Sequence, residues 1–68
     1  MDANLLRYHI KKFGDTHWRL ATEMGIGEST LYRKLSGKDA EFTQSEIKFI
    51  TERYSLTPDD VMKIFFGE

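Results

Sequence analysis

The chain has 68 residues, room for one domain, and a domain near that size buries about 60% of the surface its unfolded chain exposes. That suffices for a modest core of small helices and excludes a deep catalytic cleft. With no cysteine, neither disulfides nor thiolate metal sites can hold the fold, so apolar packing must. The formal net charge is −1, unlike the strongly basic balance of many nucleic-acid binders.

Periodicity and stop signals divide the chain into five helical pieces. The first is expected over residues 4–13, with Leu6, Ile10 and Phe13 on one face and Gly14 as its stop. The second starts at Thr16, a good N-cap, turns Leu20, Ala21 and Met24 inward, and ends at Gly25. The third covers residues 28–35, with Leu31 and Leu35 on its inner face and Gly37 just past its end. A polar loop, 38–42, follows. The fourth opens on Thr43-Gln44-Ser45-Glu46, a capping-box pattern, and turns Ile47, Ile50 and Tyr54 inward. The fifth has Thr57 as N-cap, Pro58 at its first position, and Asp59 and Asp60 in its first turn. Val61, Ile64 and Phe65 face its core side, and Gly67 ends it. Nothing reads as a strand, an internal repeat or a long linker. The expectation is an all-α, compact five-helix bundle forming a single domain over residues 1–68.

The charges are unevenly spread. Through Lys38 there are seven bases against four acids; from Asp39 onward there are three bases against seven acids. A mildly basic front fits a face offered to phosphate, and it fits an ordinary solvated surface nearly as well. No apolar run approaches the roughly 18 residues of a membrane span, and no signal-peptide core follows Met1. A cytoplasmic protein with no membrane contact is expected.

The functional signal lies in residues 20–31. Two helices crossing steeply at a short turn need a small side chain where their backbones approach, and Ala21 supplies it. Gly25 can take the left-handed conformation that ends the first of them. Ile26 can plug the crevice between the two, and Gly27 is an acceptable N-cap for the second. Leu31 and Leu35 would anchor that second helix and leave Glu28, Ser29, Tyr32 and Arg33 outward. The plain alternative is a helical hairpin serving only as scaffold. The outward groups, which are able to read base edges, favour a helix-turn-helix.

Three motifs carry a family resemblance: Thr16-His17-x-x-Leu20-Ala21, then Met24-Gly25-Ile26-Gly27-x-Ser29-Thr30-Leu31, then Leu35-Ser36-Gly37-Lys38. Together with Phe42-Thr43-x-x-Glu46-Ile47 and the terminal Ile64-Phe65-Phe66, the chain resembles the Cro/C1-type (XRE) phage repressor family from about Leu6 to Phe66. The resemblance implies a lambda-repressor-like five-helix fold with its helix-turn-helix in the second and third helices. It also implies sequence-specific binding of an operator in double-stranded DNA, often by a homodimer on a pseudo-palindrome, and transcriptional repression. Two positions depart from the family pattern. Gly27 caps the third helix where Ser or Thr is commoner, and His17 stands where Gln is usual.

In that geometry the recognition helix, residues 28–35, enters the major groove. Arg33 is the candidate for bidentate contact with guanine O6 and N7, with a surface ion pair as its alternative. Ser29 and Thr30 would bond a base or a phosphate, or simply open the helix well. Glu28 would accept from cytosine N4, or else complement the helix dipole. Tyr32 offers an edge to a thymine methyl and a hydroxyl to phosphate, unless it packs on a neighbouring helix. The amides near Thr16 and His17 are natural phosphate contacts at a helix N-terminus. Trp18 is expected to be half-buried packing, with phosphate contact through its indole N–H as the lesser option. Lys34 and Lys38 would add phosphate contacts, or decorate the surface.

His17 is itself expected to contact a phosphate or a base rather than a metal; the only other histidine is His9, so no metal site is expected, and no cofactor or small-molecule ligand. No phosphate loop, nucleophile elbow or metal-spaced histidine pair is present, and an enzyme is not expected. Asp59 and Asp60 are adjacent and point in different directions on a helix. The rival reading is a protein-interaction module of antirepressor type. Its apolar tail Met62, Ile64, Phe65 and Phe66 could supply the partner surface: core packing takes some of it, but Phe65 and Phe66 cannot face the same way, which leaves one of them for a homodimer or a different protein.

Overall fold

A helix begins where a side chain can satisfy the free amides of its first turn, and it ends where the chain can turn left-handed. In the computed structural model, which describes residues 1–37 and 39–67, these two rules set most boundaries. Helix α1 (Ala3–Lys12) is capped by Asp2, whose carboxylate accepts from the Leu5 amide at 3.0 Å. Helix α2 (His17–Met24) is capped by the Thr16 hydroxyl, which accepts from the Arg19 amide at 3.0 Å. Helix α3 (Glu28–Ser36) begins at Gly27, which has no side chain to offer. Helices α4 (Gln44–Tyr54) and α5 (Pro58–Phe65) both open with a closed capping box. In α4 the box is Thr43 with Glu46, as the sequence pattern predicts; in α5 Asp60 closes it with Thr57 at 3.1 Å. Among the described residues there are five helices and no strand, which is an all-α fold.

The turn between α2 and α3 follows from one residue. Gly25 sits at φ 76°, ψ 26°, where a side chain is strained. That conformation lets the Ile26 amide donate back to the Ala21 carbonyl at 3.0 Å, and the Gly25 amide to Thr22 at 3.1 Å. Ala21 is buried and Ile26 packs partly buried against the core, as expected of the crossing. A second turn of the same kind joins α4 to α5, where Ser55 adopts φ 52° and the Leu56 amide donates to Thr51 at 3.0 Å.

The core is a single cluster: Leu6 and Ile10 of α1, Leu20 and Ala21 of α2, Leu31 and Leu35 of α3, Ile50 and Tyr54 of α4, then Leu56 and Ile64. Each large apolar side chain buried there contributes about 1.5–3 kcal/mol. Helix α2 packs on α3, and α5 packs on both α1 and α4. The Asp2 amide also donates to the Ile64 carbonyl at 2.7 Å, tying the start of the chain to α5. The Cα radius of gyration is 10.8 Å, close to the roughly 11 Å of a compact domain of this length. No described helix is long and apolar enough to cross a membrane.

One apolar assignment needs correcting, and one buried residue had no assignment. Phe13, the C-cap residue of α1, is 59% exposed, and its ring meets Tyr54 in a T-shaped contact 5.4 Å between centroids. Leu56, which no helical period captures, is buried in the turn before α5. Of the terminal pair, Phe65 packs edge-on against Phe42 at 5.6 Å and Phe66 is exposed.

Candidate functional site

Successive residues on a helix are about 100° apart, so the buried pair Leu31 and Leu35 fixes the direction of every other α3 side chain. Ser29 and Arg33 fall opposite that pair, and both are exposed. Glu28 and Tyr32 fall on the flank nearer α2, and Thr30 and Lys34 on the other flank. Glu28 and Tyr32 are exposed, and Thr30 is half-buried. The outward strip expected from the sequence is therefore solvent-facing along its length.

Arg33 is the exposed base of this strip. Its Nε lies 3.4 Å from Asp39 Oδ1, a pair in which both side chains are more than half exposed. Such pairs contribute about 0–1 kcal/mol, so the guanidinium is available to another partner. Lys34 is different. Its side chain is 13% exposed, and its Nζ donates to Glu46 Oε1 at 2.9 Å and to the Glu41 carbonyl at 3.2 Å. Glu46 is at the same time the reciprocal half of the α4 capping box. Burial alone would raise its carboxyl pKa, but the bonds from Thr43 and Lys34 hold it below the ordinary value. Lys34 therefore fastens the end of α3 to the start of α4, and the expected phosphate contact at this position is withdrawn. Lys38 lies outside the described residues.

The flank toward α2 carries an aromatic arrangement. His17, the first residue of α2, stacks on Tyr32 of α3 with ring centroids 5.0 Å apart and planes 25° from parallel. Its Nε2 is shut off from solvent and has no hydrogen-bond partner among the described residues. That nitrogen cannot meet a phosphate as the ring stands, so the expected contact at this position falls to the backbone amide. Trp18 is 63% exposed, not half-buried. It lies about 100° round the helix from His17, outside the arc of Leu20, Ala21 and Met24, so packing does not hold it. Thr16 is exposed and uses its hydroxyl oxygen as the cap.

Beneath the start of α2 lies a group the sequence reading did not single out. The Asp15 side chain is 2% exposed; its Oδ1 accepts from the Thr16 amide at 2.9 Å. Its Oδ2 accepts from Arg53 Nε and from the Tyr54 hydroxyl, each at 2.7 Å. Burial pushes this carboxyl pKa up, but the bonds from Arg53, Tyr54 and Thr16 outweigh it and hold it at about 2. Burial and the bond to Asp15 in turn push the Tyr54 hydroxyl above its ordinary value. Arg19 was also missed. It is exposed one turn into α2, with Nη1 3.5 Å from the Gly14 carbonyl, and its place opposite Leu20 and Met24 was readable from the helical period. Ser36, exposed at the end of α3, donates to the Arg33 carbonyl at 2.8 Å.

Fold and site together define a small all-α domain with a solvent-facing third helix, set against a second helix by a tight glycine turn. No family model, curated protein or solved structure matches this chain. No group of side chains suited to holding a metal ion occurs among the described residues.

Proposed function

We propose that the protein is a sequence-specific double-stranded-DNA-binding regulator of the Cro/C1 type, with α3 as the recognition helix of a helix-turn-helix. The observation that carries this is the outward strip of α3, where Ser29 and Arg33 stand exposed opposite the buried Leu31 and Leu35. A helix so anchored can enter a major groove as a rigid rod. Arg33 would exchange its exposed Asp39 partner for guanine O6 and N7, a contact worth about 1–3 kcal/mol against a wrong base. Ser29, Thr30 and Glu28 are the further base or phosphate contacts. Across the backbone, the His17 and Trp18 amides, which a first helical turn leaves free, meet phosphate together with the Thr16 hydroxyl and the Trp18 indole N–H.

A dimer on a pseudo-palindrome would set half-sites about 34–36 Å apart. A second reading, an interaction module for another regulator, is favoured by one observation. Met62 and Phe66 are exposed, and Met62 joins Leu56, Pro58 and Val61 in lining an apolar groove. A gel shift on the DNA flanking the protein's own gene, at two salt concentrations, separates the two. Sequence-dependent retardation that weakens with salt supports the regulator. No sequence-dependent shift at micromolar protein, with a partner protein co-purifying, supports the module.

A further inference from the structure

The stack of His17 on Tyr32 joins the first residue of α2 to the flank of α3 that borders the outward strip. Two features of it bear on use. Tyr32 stays 45% exposed although one face of its ring is covered, so the ring is held and yet presented. His17 Nε2 is buried without a partner, so the imidazole serves here as a flat surface and its nitrogen makes no bond to the protein. An unpartnered buried nitrogen costs free energy, and a ring kept under that cost points to packing against Tyr32.

We propose that Tyr32 reads the C5-methyl of a thymine and that His17 is the positioning residue that fixes its ring, an inference that rests on α3 being a recognition helix. The methyl group is the one apolar feature of the major-groove edge. Tyr32 is the one aromatic side chain of α3, on the strip next to Arg33. The thymine lies in the same half-site as the guanine bonded by Arg33. A ring pinned on one face pays no rotamer entropy on meeting the methyl, whereas a loose ring would give part of the contact back.

The test begins by selecting a binding site from a random duplex library with the full chain. Each thymine of that site is then replaced by deoxyuridine, which removes only the methyl. At one thymine per half-site the wild type should bind about fourfold more weakly, the value of one buried methyl-sized group. Tyr32→Ala should bind both duplexes equally, and Tyr32→Phe should keep the wild-type ratio. His17→Phe, which keeps the flat ring and removes the orphaned nitrogen, should keep the ratio; His17→Gln should shrink it while the protein stays folded. A uracil duplex bound equally well at every position, or a ratio that survives in Tyr32→Ala, overturns the inference and leaves DNA binding standing. Failure to enrich any sequence overturns DNA binding itself, and the inference with it.

Discussion

Asp15 is a buried acid that stabilises only while it is charged. Its folded pKa of about 2 lies below the ordinary 3.8, so its contribution is complete above that ordinary value and is lost as pH falls toward 2. The shift corresponds to roughly 2 kcal/mol. Glu46 and Asp60 are also held below their usual values, so acid should weaken the fold by more than Asp15 alone accounts for. Urea unfolding of the wild type should show stability falling steeply below pH 4; Asp15→Asn should be less stable at neutral pH and lose less on acidification. An unchanged acid dependence in that variant would mean the carboxylate is not charged in the fold. The two glycines of the α2–α3 turn separate in the opposite sense. A Cβ at Gly25 would meet no atom within 4 Å, so Gly25→Ala carries only the backbone cost of positive φ, about 1–2 kcal/mol. Gly27 has φ −75°, and a Cβ there would meet only the Thr30 hydroxyl at 4.0 Å, an ordinary contact, so Gly27→Ser adds the missing cap and should raise stability by a few tenths of a kcal/mol. Thermal melts of the two variants should move in opposite directions.

At the scale of elements, α3 holds two bases side by side with opposite duties. Lys34 is joined to Glu46 across to α4, so Lys34→Ala should cost about 2 kcal/mol of stability, as for a lost hydrogen bond to a charged group. It should leave discrimination between DNA sites intact. Arg33→Ala touches only an exposed pair, so it should leave the melting temperature nearly unchanged and lose site discrimination. Equal effects of the two changes on both readouts would end this division of labour. What separates them was not legible in the sequence. Both are bases in the last turn of a helix, and the partner that claims Lys34 is 12 residues further on. The Asp15–Arg53 pair, 38 residues apart, was hidden for the same reason. Local signals fared better: Thr16, Thr43 and Thr57 cap as their spacing implied, and Leu6, Leu20, Leu31, Ile50 and Ile64 are fully buried. Those features depend on neighbours within one turn or on helical period, which a sequence displays directly. Trp18 failed because its size suggested burial although its angular position did not.

For the whole molecule, the proposed DNA binding turns on how many positive charges remain free to meet phosphate. Of the ten lysines and arginines, Lys34 and Arg53 are held by Glu46 and Asp15 inside the fold. On the side of α2 and α3, with Arg33 offered to a base, Arg19 is the described base left for the backbone, 4.0 Å from Asp15 and still more than half exposed; Lys38 joins it only as the sequence expectation. Each neutralised phosphate releases counterions and contributes about 0.9 to the slope of log affinity against log salt. A protomer contacting two or three phosphates through charge should therefore show a slope of about −2 to −3. Affinity measured from low to physiological salt tests this, and Arg19→Ala should flatten the slope by about 1 while preserving the order of preferred sites. On the proposed reading, the acidic second half of the chain would work in the same direction, by repelling DNA that α3 does not hold. Non-specific binding should accordingly be weak, and selectivity should rest on Arg33, Tyr32 and Ser29. A slope steeper than about −5 per protomer would require phosphate contacts that Arg19 and Lys38 cannot supply, and would shift the DNA-facing surface toward Arg7, Lys11 and Lys12 on α1.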